Sequence, residues 1–128
     1  MKPFRYMFTL GILFLSLSSF GGITEGVSDA FKTGNAFKLS SFFQDKIDLT
    51  ILEESDLMSK LEAEKAVYDF FHENHPSDFK ILHQGNSKSG SAYTIGRLVT
   101  EKGNFRVSIY VNTSSNKELI QQIIIDSE

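Results

Sequence analysis

The side chains best suited to bind a ligand are His83, Tyr93, Arg97 and Arg106, which fall on neighbouring strands of a predicted sheet. An arginine guanidinium presents a planar fork of N–H donors that fits a carboxylate, and a nearby histidine or tyrosine can complete an anion site. Arg106 alternates with apolar neighbours and is therefore expected to face away from the core. We predict that His83, Tyr93 and Arg97 bind a ligand in the pocket between the sheet and the helix, with solvated or salt-bridged positions on the sheet as the alternative.

Two histidines near the end of a predicted helix have a spacing that could place two imidazoles beside a metal ion. His72 and His75 are three residues apart, with Glu73 between them. A metal site needs a third and a fourth ligand, and the zinc-protease pattern requires histidines four apart with a glutamate directly after the first. Histidine is also favoured at a helix C-terminus by the helix dipole. We therefore expect exposed end-of-helix residues, with no metal and no cofactor.

Residues 1–21 are typical of a secretory signal peptide. Lys2 and Arg5 precede an apolar run from Met7 to Leu17, and small residues follow. The run holds roughly 11 residues, whereas a helix that crosses a bilayer needs about 20. The sequence predicts export to the periplasm or the cell exterior, without a permanent membrane span. An N-terminal core helix of the folded domain is the alternative.

The charge of the chain argues against some classes of binding partner, and its cysteine content argues against disulfide bonds. The chain of 128 residues has 13 basic and 16 acidic residues and no cysteine. Removal of the leader leaves 11 basic against 16 acidic residues, a net charge of −5. We expect no nucleic acid partner, because phosphate binding needs a basic patch, and a disulfide framework is excluded. Residues 22–128 are long enough for a single small domain.

Apolar spacing predicts two helical segments at the start of this domain. Ile23 to Phe31 has one apolar helix face, which Gly34 and Asn35 would end through a left-handed cap. A short helical turn from Ala36 to Phe43 is expected to bury Phe37 together with Leu39, Phe42 and Phe43.

A longer helix is predicted further along the chain. Ser59 and Glu62 form a capping box, in which each side chain satisfies a backbone N–H at the helix start. Pro76 cannot donate the next helical hydrogen bond, so the helix is expected to end at about Asn74. Its predicted core stripe consists of Ala63, Ala66, Val67, Phe70 and Phe71.

The rest of the domain shows the two-residue period of β-strands. In the segment around Phe79, Ile81 and His83, these three side chains are expected to share one face. Gly96 interrupts another segment, where we expect a bulge or a sharp bend. The predicted strands are Asp45–Glu53, Phe79–Gln84, Tyr93–Thr100, Phe105–Asn112 and Leu119–Ile125.

The order of these elements favours an α+β fold. Consecutive strands joined by short loops predict a curved antiparallel sheet of about four to five strands. The sheet would wrap on the N-terminal helix and the one long helix, which leaves a cone with an open end.

Three segments resemble an uncharacterised-domain family of short exported proteins with a nuclear transport factor 2-like, or cystatin-like, cone fold. They are AEKAVYDFFHENHPSDFKILHQG from Ala63 to Gly85, YTIGRLVTEKGNFRV from Tyr93 to Val107, and the closing IQQIIID. The resemblance covers most of residues 22–128. It implies the cone fold and the export route, and it supplies no catalytic residues.

Tyr68 and Asp69 invite comparison with the isomerases among cone folds, in which an acidic base works with tyrosine hydrogen bonds. Adjacent residues of a helix point about 100° apart, so the pair cannot easily share one substrate. A serine hydrolase is not indicated, because no serine lies on a strand-to-helix elbow. The sequence predicts no catalytic residue, and a small pocket enzyme of the isomerase or lyase type is kept as the alternative function.

These observations favour a noncatalytic exported domain that binds a small ligand or an envelope protein. A deep pocket that holds a buried carboxylate or histidine would instead indicate the enzyme. A homodimer through the open sheet face is a further possibility, for which Arg106, Tyr110 and Gln122 are the candidate residues.

Overall fold

Three helices and six strands form the part of the chain that the computed structural model describes, residues 22–86, 91–114 and 117–128. The predicted signal peptide, residues 1–21, lies outside the described residues. In chain order the elements are α1 (Gly22–Thr33), α2 (Ala36–Ser40), β1 (Phe43–Ile51), β2 (Glu54–Ser59), α3 (Lys60–Glu73), β3 (Pro76–Asn86), β4 (Ser91–Thr100), β5 (Gly103–Ser114) and β6 (Lys117–Ser127).

The six strands form a single sheet in the order β2-β1-β6-β5-β4-β3. Neighbouring strands run antiparallel, except that β1 lies parallel to β6. The α+β fold with a mainly antiparallel sheet is confirmed, with six strands where the sequence predicted about four to five. The first and last strands of the chain therefore pair within the sheet, between the edge strand β2 and β5.

The helices pack on one face of the sheet, which we call the inner face. Phe31 of α1 stacks on Phe79 of β3 with ring centroids 5.0 Å apart, and Phe70 of α3 meets Phe105 of β5 edge-on at 5.1 Å. Because successive side chains of a strand point to opposite faces, the residues that alternate with Phe79 and Phe105 lie on the other face, here called the outer face.

The end of α1 matches the predicted left-handed cap. Gly34 has φ 67°, its N–H donates to the carbonyl of Phe31, and Asn35 N–H donates to the carbonyl of Ala30. This is the Schellman pattern, which needs a residue at positive φ and therefore favours glycine. The Asn35 side chain then accepts from Lys38 N–H at 2.9 Å and starts α2.

The prediction that Phe37 is buried is wrong. Helix α2 has only five residues, and its buried face is taken by Ala36, Leu39 and Ser40. Phe37 points away from that face and is 75% exposed.

The long helix α3 begins and ends where the sequence predicts. Ser59 Oγ accepts from Glu62 N–H at 3.2 Å, and Glu62 Oε1 accepts from Ser59 N–H at 3.0 Å. At the other end, Asn74 donates from its backbone and its side chain to the carbonyl of Phe70. The capping box and the stop before Pro76 are therefore confirmed.

Strand β2 is the element that the sequence analysis missed. It joins β1 through a two-residue turn in which Leu52 adopts φ 59°, a conformation that a sequence usually marks with glycine or asparagine. Its first four residues, Glu54–Leu57, are all exposed, so β2 lacks the apolar alternation of a half-buried strand. It is an edge strand held by its pairing with β1.

The expected irregularity near Gly96 lies in the partner strand instead. The pairing of β4 with β5 runs without a break from Ser91 to Thr100. In β3 the register shifts between Ile81, opposite Gly96, and His83, opposite Ile95. Leu82 is the extra residue of this bulge.

The bulge moves His83 to the other face of the sheet. Without it, His83 would share the face of Phe79 and Ile81, as the two-residue period predicts. The prediction of a shared face is therefore wrong, because one inserted residue inverts every side chain that follows.

Candidate functional site

The centre of the interior between α1 and the sheet is filled, whereas a groove of about 340 Å³ lies at its open end, where Tyr93 is among the lining residues. Phe31 stacks on Phe79 and meets Phe71 edge-on with centroids 5.8 Å apart. The cavity that remains there, between Val27 and Ile109, measures about 20 Å³. Ligand sites usually enclose about 300–1,000 Å³. This cavity is therefore too small for a ligand.

His83 and Tyr93 lie together on the outer face. Their ring centroids are 5.6 Å apart, and Tyr93 also lies 6.5 Å from Tyr110 of β5. These three rings, from three neighbouring strands, are called the aromatic row. A Cβ placed on Gly85 would lie 2.5 Å from the Tyr93 ring, so this ring lies over the glycine.

Arg97 lies on the same face, two strand positions beyond Ile95. Its Nε donates to both carboxylate oxygens of Glu128, at 2.8 and 3.0 Å. Four residues at about 3.3 Å each separate Arg97 from Tyr93, roughly 13 Å along β4. The structure thus brings His83 and Tyr93 into contact and places Arg97 apart from them, paired with a carboxylate. All three lie on the outer face, whereas the prediction placed them in the pocket between the sheet and the helix. Their role in ligand binding stays a prediction.

Arg97 has a cation on each side. Lys80 of β3 and Arg106 of β5 lie directly opposite it in the two flanking strands. We call Lys80, Arg97 and Arg106 the basic row. Arg106 is exposed on the outer face, as its alternation with apolar residues predicted. Lys80 was not predicted as a site residue, because its position in this row depends on the pairing of β3 with β4.

The residues considered for a homodimer share this face. Tyr110 lies opposite Gln122 of β6, and Arg106 lies opposite Asp126. The structure places Arg106, Tyr110 and Gln122 on the outer face, and their role in a dimer stays a prediction.

A groove between the α1–α2 corner and α3 was not predicted, and we call it the α-groove. It measures about 800 Å³, and its lining includes Phe37, Leu61 and Tyr68. Phe37 and Leu61 are each 75% exposed and Tyr68 is 60% exposed. One signal for it was available in the sequence: Leu61 and Tyr68 lie outside the apolar stripe that buries α3.

Two carboxylates at the α-groove accept hydrogen bonds from neighbouring residues. Glu64 accepts a hydrogen bond from the buried Ser40 hydroxyl at 2.9 Å. Glu62 accepts from the Ser59 backbone and side chain, which holds the pKa of the Glu62 carboxyl below its usual value. These hydrogen bonds of Glu62 fix the start of α3.

The residues considered for isomerase chemistry border different grooves. Tyr68 faces the α-groove, whereas Asp69 lines a second groove of about 530 Å³ beside the β1–β2 turn. Asp69 lies 3.9 Å from Lys65 in an exposed ion pair. The two side chains are not brought together.

The histidines at the end of α3 form ring contacts. His72 stacks beside Tyr68 with centroids 6.1 Å apart and lies 6.0 Å from His75. Within the described residues, no group of three or more histidine, cysteine, aspartate or glutamate side chains is placed to hold a metal ion. In that same part of the chain, no helix is long and apolar enough to cross a membrane.

Comparison with known structures identifies the fold. A cystatin-like domain of unknown function from Nostoc punctiforme superimposes with a TM-score of 0.67 at 11% identity, covering 87% of this chain and 76% of that one. A protein of the nuclear transport factor 2 type gives 0.66 at 13% identity, covering 86% of this chain and 98% of that one. These likenesses support the cone fold predicted from the sequence.

Comparison with protein families identifies the relatives. A search of curated proteins finds none that matches the sequence. A crystal structure of a DUF4783 protein from Bacteroides ovatus is 39% identical, with a TM-score of 0.77 over 80% of this chain and 93% of that one. The family model for the domain of unknown function DUF4783 matches residues 24–126. The chain therefore belongs to the DUF4783 family.

Proposed function

We propose that this chain is a noncatalytic exported domain that binds a protein partner in the α-groove. The observation that carries the proposal is the grouping of Phe37, Leu61 and Tyr68 around one groove. They are three of the seven exposed large apolar side chains among the described residues. Contiguous exposed apolar surface marks interaction sites in soluble proteins, whereas single exposed apolar residues do not.

The filled centre of the interior supports a surface function over an enzyme with a buried pocket. Between Val27 and Ile109 the cavity measures about 20 Å³, which leaves no room for a substrate there. Tyr68 and Asp69, the residue types of an isomerase, border different grooves. A catalytic base and its hydrogen-bonding partner must both reach one substrate.

An amphipathic helix of the partner fits this groove best. The groove lies between two helical segments, and helix-in-groove recognition places apolar side chains at helical spacing into such a depression. Phe37 and Leu61 would contact the apolar side of that helix. Glu62 and Lys65 at the groove provide charges for its polar residues.

Site-specific cross-linking tests the proposal. The photoreactive amino acid p-benzoylphenylalanine would replace Phe37 or Leu61 in the full chain, expressed in the cells that export it. Leu57, which is 62% exposed on the edge strand β2, is the matched control position. We expect one discrete protein adduct from positions 37 and 61 that is absent from position 57, and direct binding of that protein after purification.

Polar variants complete the test. Phe37→Ser with Leu61→Ser should abolish binding of the purified partner and leave the melting temperature almost unchanged, because exposed positions contribute little to stability. Equal adducts at all three positions, or binding that survives the double variant, would contradict the proposal. N-terminal sequencing of the secreted protein tests export independently and should show that residues 1–21 are gone.

A further inference from the structure

The outer face carries three cations side by side. Lys80, Arg97 and Arg106 occupy directly opposite positions on β3, β4 and β5. Residues opposite each other on neighbouring strands have Cβ atoms about 5 Å apart, and like charges in such positions are destabilising. The basic row is thus an arrangement that sheet stability alone does not favour.

The acidic groups of this chain neutralise the row only in part. Glu128 pairs with Arg97. Asp126 lies opposite Arg106, yet among the described residues neither Arg106 nor Lys80 makes an ion pair. Two exposed cations therefore remain free on a face whose chemistry is complementary to carboxylates.

The surface beside the row carries apolar and aromatic side chains. Ile95 and Ile124 are half-buried on the outer face, between the basic row and the aromatic row, and Ser108 of β5 lies between them. Tyr93 lies over Gly85, so the sheet supports one side of its ring and the ring is held in place as an anchor. Tyrosine and arginine are the residue types that dominate binding energy at protein interfaces.

From this combination we propose that the outer face binds an acidic segment of a partner protein. Carboxylates of that segment contact Lys80 and Arg106, and its apolar side chains pack against Ile95, Ile124 and the Tyr93 ring. A small free anion would use the cations and leave the apolar strip uncovered. The site is separate from the α-groove, so neither proposal depends on the other.

A peptide-binding measurement tests the proposal. The probe is a fluorescein-labelled peptide that repeats Glu-Glu-Tyr-Ile, and its control repeats Lys-Lys-Tyr-Ile. Binding to protein purified from cells that express the full chain is followed by fluorescence anisotropy. We expect the acidic probe alone to bind, with an affinity that falls as salt increases.

Matched variants separate this site from general charge effects. Lys80→Ala with Arg106→Ala should weaken binding roughly three- to tenfold. Lys32→Ala with Lys60→Ala removes the same charge from exposed positions on α1 and α3 and should leave the affinity unchanged. Tyr93→Ala should weaken binding as well.

Four results would overturn the proposal. The first is absence of probe binding at low salt, and the second is an equal loss of affinity in the two double variants. The third is full competition by oligogalacturonate together with no effect of Tyr93→Ala, a combination that would indicate a general polyanion site. The fourth is a dimer in analytical ultracentrifugation that the Lys80 and Arg106 variant dissociates, since a second copy would then occupy the face.

Discussion

On each face of the sheet an aromatic ring lies against a glycine, but the ring on the inner face is buried and the ring on the outer face is partly exposed. On the inner face the Phe79 ring lies over Gly96, and on the outer face the Tyr93 ring lies over Gly85. Phe79 is 7% exposed under Phe31, whereas Tyr93 is only half-buried and touches the exposed His83. In both places a missing Cβ lets an aromatic ring lie against the backbone.

The difference between the faces is what covers the ring. Helix α1 closes over Phe79, so that ring stabilises the fold through burial. Among the described residues, the helices pack on the inner face alone. Tyr93 therefore contributes less to stability and keeps part of its surface available for recognition.

Truncating the two rings should give the largest difference. Phe79→Ala would leave a cavity beside Phe31 and should lower the free energy of unfolding by about 3–5 kcal/mol. Tyr93→Ala removes a half-buried ring and should cost less than about 2 kcal/mol. Urea denaturation of both variants measures this difference.

Similar losses in the two variants would break the comparison, since they would mean that the outer ring is as important to the fold as the inner one. Phe79→Leu is the matched control. It keeps much of the buried apolar volume and should lose less stability than Phe79→Ala.

Substituting alanine for each of the two glycines should give a smaller difference in the free energy of unfolding, with the larger loss again on the inner face. A Cβ on Gly96 would press on the Phe79 ring and lie 3.0 Å from the Lys80 carbonyl oxygen, neither of which can move freely. Gly96→Ala should therefore cost about 1–3 kcal/mol. In Gly85→Ala the three atoms nearest to the Cβ all belong to the Tyr93 side chain, which can swing toward solvent.

We expect Gly85→Ala to melt close to the unsubstituted protein and to bind the acidic probe more weakly, because the ring loses its fixed position. Thermal melts and anisotropy titrations of the two glycine variants provide the check. A Gly85→Ala protein with unchanged probe affinity would show that the position of Tyr93 is unimportant for binding.

Local signals in the sequence were sufficient for the end of α1 and for both ends of α3. The Gly34 cap, the Ser59–Glu62 box and the stop before Pro76 depend on side chains within a few residues of each other. Strand β2 has no such signal, because it is held by pairing with β1 and its turn places Leu52 at φ 59°. Its existence follows from tertiary contacts alone.

The residue types of the candidate site could be read from the sequence, but the face of the sheet on which they lie could not. His83, Tyr93 and Arg97 share one face, but the bulge at Leu82 decides which face His83 occupies. A bulge has no fixed sequence pattern, so the two-residue period gave the wrong face for this side chain. Lys80 joins the basic row only through strand register, which no local pattern specifies.

Removal of the ion pair between Arg97 and Glu128 should change stability least. It should also show most clearly that the outer face serves binding and the inner face serves folding. Their side chains are 38% and 31% exposed, so the pair contributes at most about 0.2–1 kcal/mol, less at high salt. Glu128→Gln should leave the urea midpoint nearly unchanged. It also frees the third cation of the basic row, and the acidic probe should then bind more tightly at low salt.

Asp45→Gln removes the same charge from an exposed position on β1 and serves as the control. If Glu128→Gln instead lowers stability by several kcal/mol and does not change binding, the outer face is a structural surface like the inner one.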